Sequence, residues 1–149
     1  MILDERSEFC DATALDTAGT GRDLVGDVMD LGPTARDMGA GQPMYLVISV
    51  DTTVTSGGSA TVEFELCSDA QAAIAADGTA TIHASTGAIA KATLVAGYET
   101  IIALPVGNTY ERFLGIVANV GAAALTAGKI NAFLTMDHKA HRSYPDATN

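Results

Sequence analysis

Hydrophobic and polar residues alternate along the middle of the chain with the two-residue period of a half-buried β-strand. In the clearest example, Val62, Phe64 and Leu66 point to one side, and Glu63 and Glu65 point to the other, which we expect to be solvated. Similar runs, bounded by glycine, proline and serine turns, lie before and after it. The predicted strands are residues 25–31, 45–51, 60–67, 79–83, 91–95, 99–104, 111–120 and 129–137.

The spacing of these strands predicts the fold class. They recur about every eight to fifteen residues without a sustained 3.6-residue period, which is typical of an all-β sandwich. We expect two hairpins, 45–51 with 60–67 and 91–95 with 99–104, and one or two helical turns within residues 68–77. The predicted architecture is a jelly-roll β-sandwich of about eight strands, with an immunoglobulin-like Greek key as the alternative.

Turn residues and acidic residues divide the chain into three parts. Residues 1–41 hold nine acidic residues and three arginines and predict an extended N-terminal arm with one short strand. Residues 42–137 form the predicted jelly roll, and residues 138–149 form a polar C-terminal tail. No secretory signal follows Met1, and no run reaches the roughly eighteen apolar residues of a membrane helix. We therefore expect no membrane contact.

Composition changes this picture in two ways. Hydrophobic residues make up 48% of the 149, but only 5% are aromatic and 26 residues are alanine. Small side chains bury little area each, so we expect a thin core that gains stability from neighbouring copies or a partner. The net charge of −10 argues against direct nucleic-acid binding, which needs Lys and Arg facing phosphates. It is compatible with solubility or with docking onto a basic protein surface.

The residues that could carry chemistry do not form a recognisable site. His138 and His141 have the spacing of two zinc ligands, but no third ligand accompanies them, so we interpret them as surface contacts. His83 stands alone in a predicted strand and is expected to be structural or exposed. Cys10 and Cys67 lie in no nucleophile motif, and we expect reduced, inert thiols. We predict no catalytic, metal or cofactor residue and no enzyme activity.

The order of several short segments resembles one protein family. The segments are Met1-Ile2-Leu3-Asp4, Phe9-Cys10-Asp11-Ala12, Met29-Asp30-Leu31-Gly32, Ala60-Thr61-Val62-Glu63-Phe64-Glu65-Leu66, Leu104-Pro105 and Glu111-Arg112-Phe113-Leu114. In this order they resemble the small capsid cement, or decoration, proteins of short-tailed double-stranded DNA phages, of the Bordetella-phage type. The resemblance covers nearly the whole chain. It departs at Cys10, where serine is expected, and in the tail.

The resemblance implies a function and its partners. It implies a jelly roll that binds the outer face of an HK97-type shell of major capsid protein, bridges capsomers and stabilises the DNA-filled head. It also implies synthesis in the host bacterial cytoplasm and self-association as a homodimer or homotrimer, without cofactors. One alternative is a receptor- or glycan-binding sandwich of a head fibre or spike, which would usually expose aromatic residues, and this chain has no Trp. Another is a small β-sandwich enzyme or cupin with bound metal.

Three regions are expected to contact the shell or a neighbouring copy. Apolar residues within an acidic arm need a surface on which to pack, and Tyr and Arg are frequent anchors of interfaces. Arg112 has an alternative role, an ion pair with Glu111 or another nearby carboxylate. The predicted contact residues are Ile2, Leu3, Asp4 and Phe9 of the arm, Tyr110 and Arg112 of the loop at 107–112, and His138, His141, Arg142 and Tyr144 of the tail.

Overall fold

The computed structural model describes residues 5–16, 18–34 and 41–139, which form nine β-strands. A 3₁₀ turn, Glu5–Ser7, precedes the first strand. In chain order the strands are β1 (Glu8–Ala14), β2 (Gly21–Asp30), β3 (Tyr45–Thr55), β4 (Thr61–Asp69), β5 (Thr81–Ser85), β6 (Ile89–Ala90), β7 (Glu99–Ala103), β8 (Phe113–Gly121) and β9 (Ala127–Thr135). The predicted strands at 45–51, 60–67, 79–83, 99–104, 111–120 and 129–137 are confirmed as β3, β4, β5, β7, β8 and β9.

The strands form two antiparallel sheets with the strand order of a jelly roll. The first sheet has the order β1-β9-β3-β7, and the second has the order β2-β8-β4-β5, with β6 also paired to β4. Successive strands alternate between the two sheets except from β4 to β6. The predicted jelly-roll sandwich is therefore confirmed, and the immunoglobulin-like alternative is wrong.

The core lies between the sheets and is built mainly from large aliphatic side chains. Among its largest members, each at most 1% exposed, are Leu46, Ile48, Phe64, Leu66, Leu114, Ile116 and Ile130. Three alanines of the described residues are buried: Ala60, Ala118 and Ala132. The expectation of a thin core of small residues is therefore wrong, because most alanines lie outside the core and the strands supply Val, Leu and Ile.

Both predicted hairpins are wrong. β3 and β4 belong to different sheets, and β7 pairs with β3, whereas residues 91–95 form turn and loop. Neighbouring strands of a jelly roll mostly cross from one sheet to the other, so proximity in the sequence does not indicate pairing. Residues 70–80 form an irregular loop rather than helical turns, and the Asp69 carboxylate accepts the N–H groups of Gln71 and Ala75 within it.

The predicted N-terminal arm is instead part of the sandwich. β1 and β2 occupy one edge of each sheet, where β1 pairs with β9 and β2 pairs with β8. The strand predicted at 25–31 overlaps the second half of β2, which ends at Asp30. Sequence patterns missed the rest because each of these strands buries few side chains, namely Phe9 and Cys10 in β1 and Val25 in β2. Residue 41 therefore does not separate an arm from a domain.

The outer face of the second sheet is covered by the chain itself. Ile74 of the loop at 70–80 packs on Cys67 and Val117 in a second, smaller apolar cluster. On the same sheet Glu65 is 3% exposed and is ion-paired with Arg22 of β2. The expectation that Glu65 is solvated is therefore wrong, because alternation along one strand cannot show what a distant part of the chain brings to its outer face.

Candidate interaction surface

The edges of β1 and β2 lie side by side and form one side of the sandwich. Each has one hydrogen-bonded neighbour among the described strands, β9 for β1 and β8 for β2. They meet at Gly26, which has a φ of +73°. A Cβ at this position would overlap the Phe9 carbonyl oxygen and the Cys10 side chain. Glycine is therefore required for the two edges to be in backbone contact.

Both of these strands are interrupted by β-bulges. The β1–β9 register shifts between Glu8 and Cys10 and again between Cys10 and Thr13. The β2–β8 register shifts between Val25 and Met29. Bulges bend and twist an edge strand, so this side of the sandwich is poorly suited to pairing with a further flat strand.

A groove of about 700 Å³ lies along these edges. Its lining combines apolar and charged side chains: Val28, Met29, Leu31, Arg6, Glu8, Asp27 and Asp30. A second hollow of about 270 Å³ adjoins it, since Glu8 and Asp27 line both, and extends to Asp11. We call these two hollows together the acidic groove.

Negative charge dominates this side of the molecule. Burial, followed by the neighbouring charge of Asp16, raises the pKa of Asp23 on β2. Burial is also the main reason that the pKa of the Cys10 thiol rises to about 12, and the carboxylates of Glu8 and Asp27 act in the same direction. Carboxylates gathered around one groove repel each other and favour a positively charged partner.

Arg112 is held in an ion pair beside the acidic groove. Its Nε and Nη2 donate to the two carboxylate oxygens of Asp30 at 2.9 and 2.8 Å, and the guanidinium lies 4.8 Å from the Phe113 ring centroid. The hydrogen bonds from Arg112, followed by one from the Gly32 N–H, lower the pKa of Asp30 to about 2. The structure thus shows the ion-pair alternative for Arg112, with Asp30 rather than Glu111 as its partner.

Tyr110 lies in the core. It is 0% exposed, and its ring centroid is 4.1 Å from that of His83. His83 Nε2 is 2.7 Å from Ser68 Oγ, which accepts the Glu111 N–H at 3.1 Å. These two side chains are therefore hydrogen-bonded, and burial lowers the pKa of His83. Tyr110 has no exposed surface for a second molecule, contrary to the prediction, and Ser68, also 0% exposed, forms a structural hydrogen bond.

Phe9 is also a core residue. It is 1% exposed and packs in the cluster between the two sheets. The prediction that Phe9 anchors the chain to a shell assumed an apolar residue stranded in an arm. Because β1 belongs to a sheet, the sandwich of the same chain buries this ring, and the prediction is corrected.

The remaining predicted contact residues belong to the terminal segments. His138 is half-buried, and its ring centroid lies 4.5 Å from that of Tyr45 on β3. Its contact with a shell or neighbouring copy stays a prediction. Six further predicted residues lie outside the described residues: Ile2, Leu3, Asp4, His141, Arg142 and Tyr144.

Other candidate chemistry can be located in the described part of the chain. Cys10 and Cys67 are free and buried, and burial raises the pKa of the Cys67 thiol to about 11. Within residues 5–16, 18–34 and 41–139, no three His, Cys, Asp or Glu side chains are grouped to hold a metal ion. No helix in those ranges has the length and apolar character to span a membrane.

Sequence reasoning did not single out Glu8 and Asp27, the two carboxylates that line both hollows of the acidic groove. The excess of acidic residues in residues 1–41 is the available signal. Their convergence depends on bulges in two strands of different sheets, and no local sequence pattern shows that arrangement.

The fold defines a class of protein, the jelly-roll module found in viral capsid proteins, lectins and cupins. Within that class, the family model Bbp16 matches residues 9–134. The chain therefore belongs to the Bbp16 family, a Bordetella phage protein family, which is consistent with a phage structural protein and confirms the resemblance. A comparison with curated proteins found no match.

Proposed function

We propose that this protein is a cement protein, which binds the outer surface of the major-capsid-protein shell, bridges capsomers and stabilises the DNA-filled head. The observation that carries the proposal is the acidic groove along β1 and β2, in a member of a phage structural-protein family. The proposed mechanism is the burial of surface between proteins. It needs no covalent step, no cofactor and no contact with nucleic acid.

The acidic groove suggests which part of a shell it would bind. Glu8 and Asp27 line both of its hollows, and Val28 and Met29 add apolar surface beside them. Carboxylates next to apolar side chains complement Arg or Lys, whose alkyl part packs while its charge pairs. We therefore propose that a basic, exposed segment of the major capsid protein occupies this groove.

Many copies would supply the strength that a single contact lacks. An exposed ion pair contributes about 0–1 kcal/mol, and salt weakens it further. A copy that bridges two capsomers, or that is joined to other copies in a homodimer or homotrimer, makes its second contact at a high effective concentration. Weak individual contacts can therefore stabilise a whole shell.

Addition of the purified protein to heads that lack it tests this function. We expect saturable binding and a higher melting temperature of the heads, with both effects reduced in the double variant Glu8→Lys/Asp27→Lys. Asp51→Lys/Asp77→Lys is the matched control, because it makes the same change in net charge at two exposed carboxylates that do not line the groove. Binding of the wild-type protein should weaken as the salt concentration rises.

The possible results test the cement function and the acidic groove as its binding surface independently of each other. If the wild-type protein does not bind such heads, the cement function is refuted. If the double variant binds as well as the control, the contact lies elsewhere on the molecule. Binding to host-cell glycans instead of heads would favour the receptor-binding alternative. Circular dichroism of each variant checks that the jelly roll is intact.

A further inference from the structure

The described strands at the sheet edges are β1, β2, β5, β7 and the two-residue β6, and they differ in their regularity. β1, β2 and β5 each show a register shift against the strand beside them. β7 pairs with β3 from Tyr45–Ala103 to Ser49–Glu99 without any shift. Bulges protect exposed edges against pairing with other chains. β6 shows no shift either but is only two residues long, so among the longer described edge strands β7 is the one that lacks this protection.

Alternate residues of β7 direct their backbone groups away from the sheet. At the end of the strand, the Leu104 N–H donates to the Met44 carbonyl at 2.8 Å. In an antiparallel pair every second residue bonds to the neighbouring strand, so the N–H and C=O groups of Ile101 and Ala103 point outward. Ile101 is also 37% exposed. β7 thus presents both backbone groups and an apolar side chain.

The only charged side chain of β7 is Glu99 at its start, whereas the opposite side of the sandwich is acidic. Residues 100–110 contain no charged side chain, and Val106, just after β7, is 68% exposed. A chain with a net charge of −10 repels its own copies over much of its surface. A regular strand edge whose one carboxylate lies at its end is a place where two copies can approach each other with little repulsion.

We propose that two copies pair through antiparallel β7 strands, about a twofold axis at Ile101, and so join two four-stranded sheets into one continuous sheet. In this register Ile101 faces its own counterpart, and Glu99 faces Ala103, so no carboxylates oppose each other. The outward backbone groups of both copies also meet in hydrogen-bonded pairs. Such a contact closes at two copies and therefore favours the homodimer over the homotrimer. The pairing refines the proposed self-association and does not depend on shell binding.

Sedimentation velocity over a range of protein concentrations tests the pairing. We expect a species with twice the 15.2 kDa chain mass, and its loss in Ile101→Lys, because two ammonium groups would meet at the axis. Ile82→Lys is the matched control, since Ile82 is 45% exposed on the edge strand β5. Under oxidising conditions Ile101→Cys should form a disulfide-linked dimer, and Ile82→Cys should not. The native Cys10 and Cys67 are buried and should form no intermolecular disulfide in either variant.

A wild-type protein that stays monomeric at every concentration, or that forms a trimer, would overturn the pairing. A dimer that survives Ile101→Lys and gives no disulfide with Ile101→Cys would also overturn it. These results differ from a failure of the cement function. A β7 dimer that does not bind heads argues against the shell contact alone, and a monomer that binds heads argues against the pairing alone.

Discussion

The ion pair between Arg22 and Glu65 holds the outer face of the second sheet together. Glu65 is 3% exposed on β4, and Arg22 reaches it from β2 across the intervening strand β8. The loop at 70–80 approaches the pair closely, since a Cβ on Gly78 would lie 2.8 Å from Arg22 Nη1. Arg22 Nε is buried and has no hydrogen-bond partner in the described part of the chain. Neutralisation of this guanidinium therefore depends on Glu65.

We expect Glu65→Gln to lower the free energy of unfolding by about 2 kcal/mol. Removal of one partner of a fully buried ion pair costs about 3–5 kcal/mol, because the other charge stays buried. The Arg22 side chain remains 23% exposed, so solvent reduces this cost, and we take about half of the range. In a chain of this size 1 kcal/mol corresponds to about 2–4 °C, so Tm should fall by roughly 4–8 °C.

Two comparison variants distinguish the cost of leaving one buried charge unpaired from a nonspecific loss of stability. Arg22→Met combined with Glu65→Leu removes both charges, and we expect it to be more stable than Glu65→Gln because no unpaired charge is left. Asp30→Asn breaks the exposed ion pair with Arg112 and should have the smaller effect. Thermal unfolding followed by circular dichroism measures all three. The reasoning is refuted if Glu65→Gln melts at the same temperature as Asp30→Asn, or if the double variant is the least stable.

Two further predictions concern buried titratable groups. Burial keeps the Cys10 and Cys67 thiols protonated at about pH 8, so a thiol-reactive dye should label them only as the protein unfolds, and rapid labelling of the folded protein would contradict this. Burial lowers the pKa of His83 below its unfolded value of about 6.5, so the stability it contributes is present above that pH and is lost as the pH falls further. The decrease in Tm from about pH 7 to pH 5 should therefore be smaller in His83→Gln, and an equal decrease would count against this assignment.

Strands with strong alternation could be predicted from the sequence, and strands without it could not. Val62, Phe64 and Leu66 are each at most 1% exposed, because β4 lies inside its sheet with one face on the core. β1 and the first half of β2 were missed because edge strands bury few side chains and bulges interrupt the two-residue period. The pairing of strands could not be predicted from the sequence either, since the jelly roll pairs strands as distant in the sequence as β1 and β9.

The charge of the candidate site could be predicted, but most of its residues could not. The carboxylates that line the acidic groove all come from residues 1–41, the part of the chain in which the sequence shows an excess of acidic residues. Phe9 and Tyr110 were predicted as contacts and are buried, because a local sequence does not show whether an isolated aromatic ring packs on its own chain or on another. The ion-pair alternative for Arg112 is confirmed, but its partner Asp30 lies 82 residues away, beyond any local pattern.

The pairing of β1 with β9 has a consequence for how the protein is made. Among the described strands β1 is hydrogen-bonded to β9 alone, so the first strand to be synthesised has no partner until the last one exists. The four-stranded sheet can therefore close only after translation has passed Thr135, where β9 ends. Closure across so long a stretch of chain is slow. Nascent chains on the ribosome accordingly lack the finished β1–β2 side until β9 has been made.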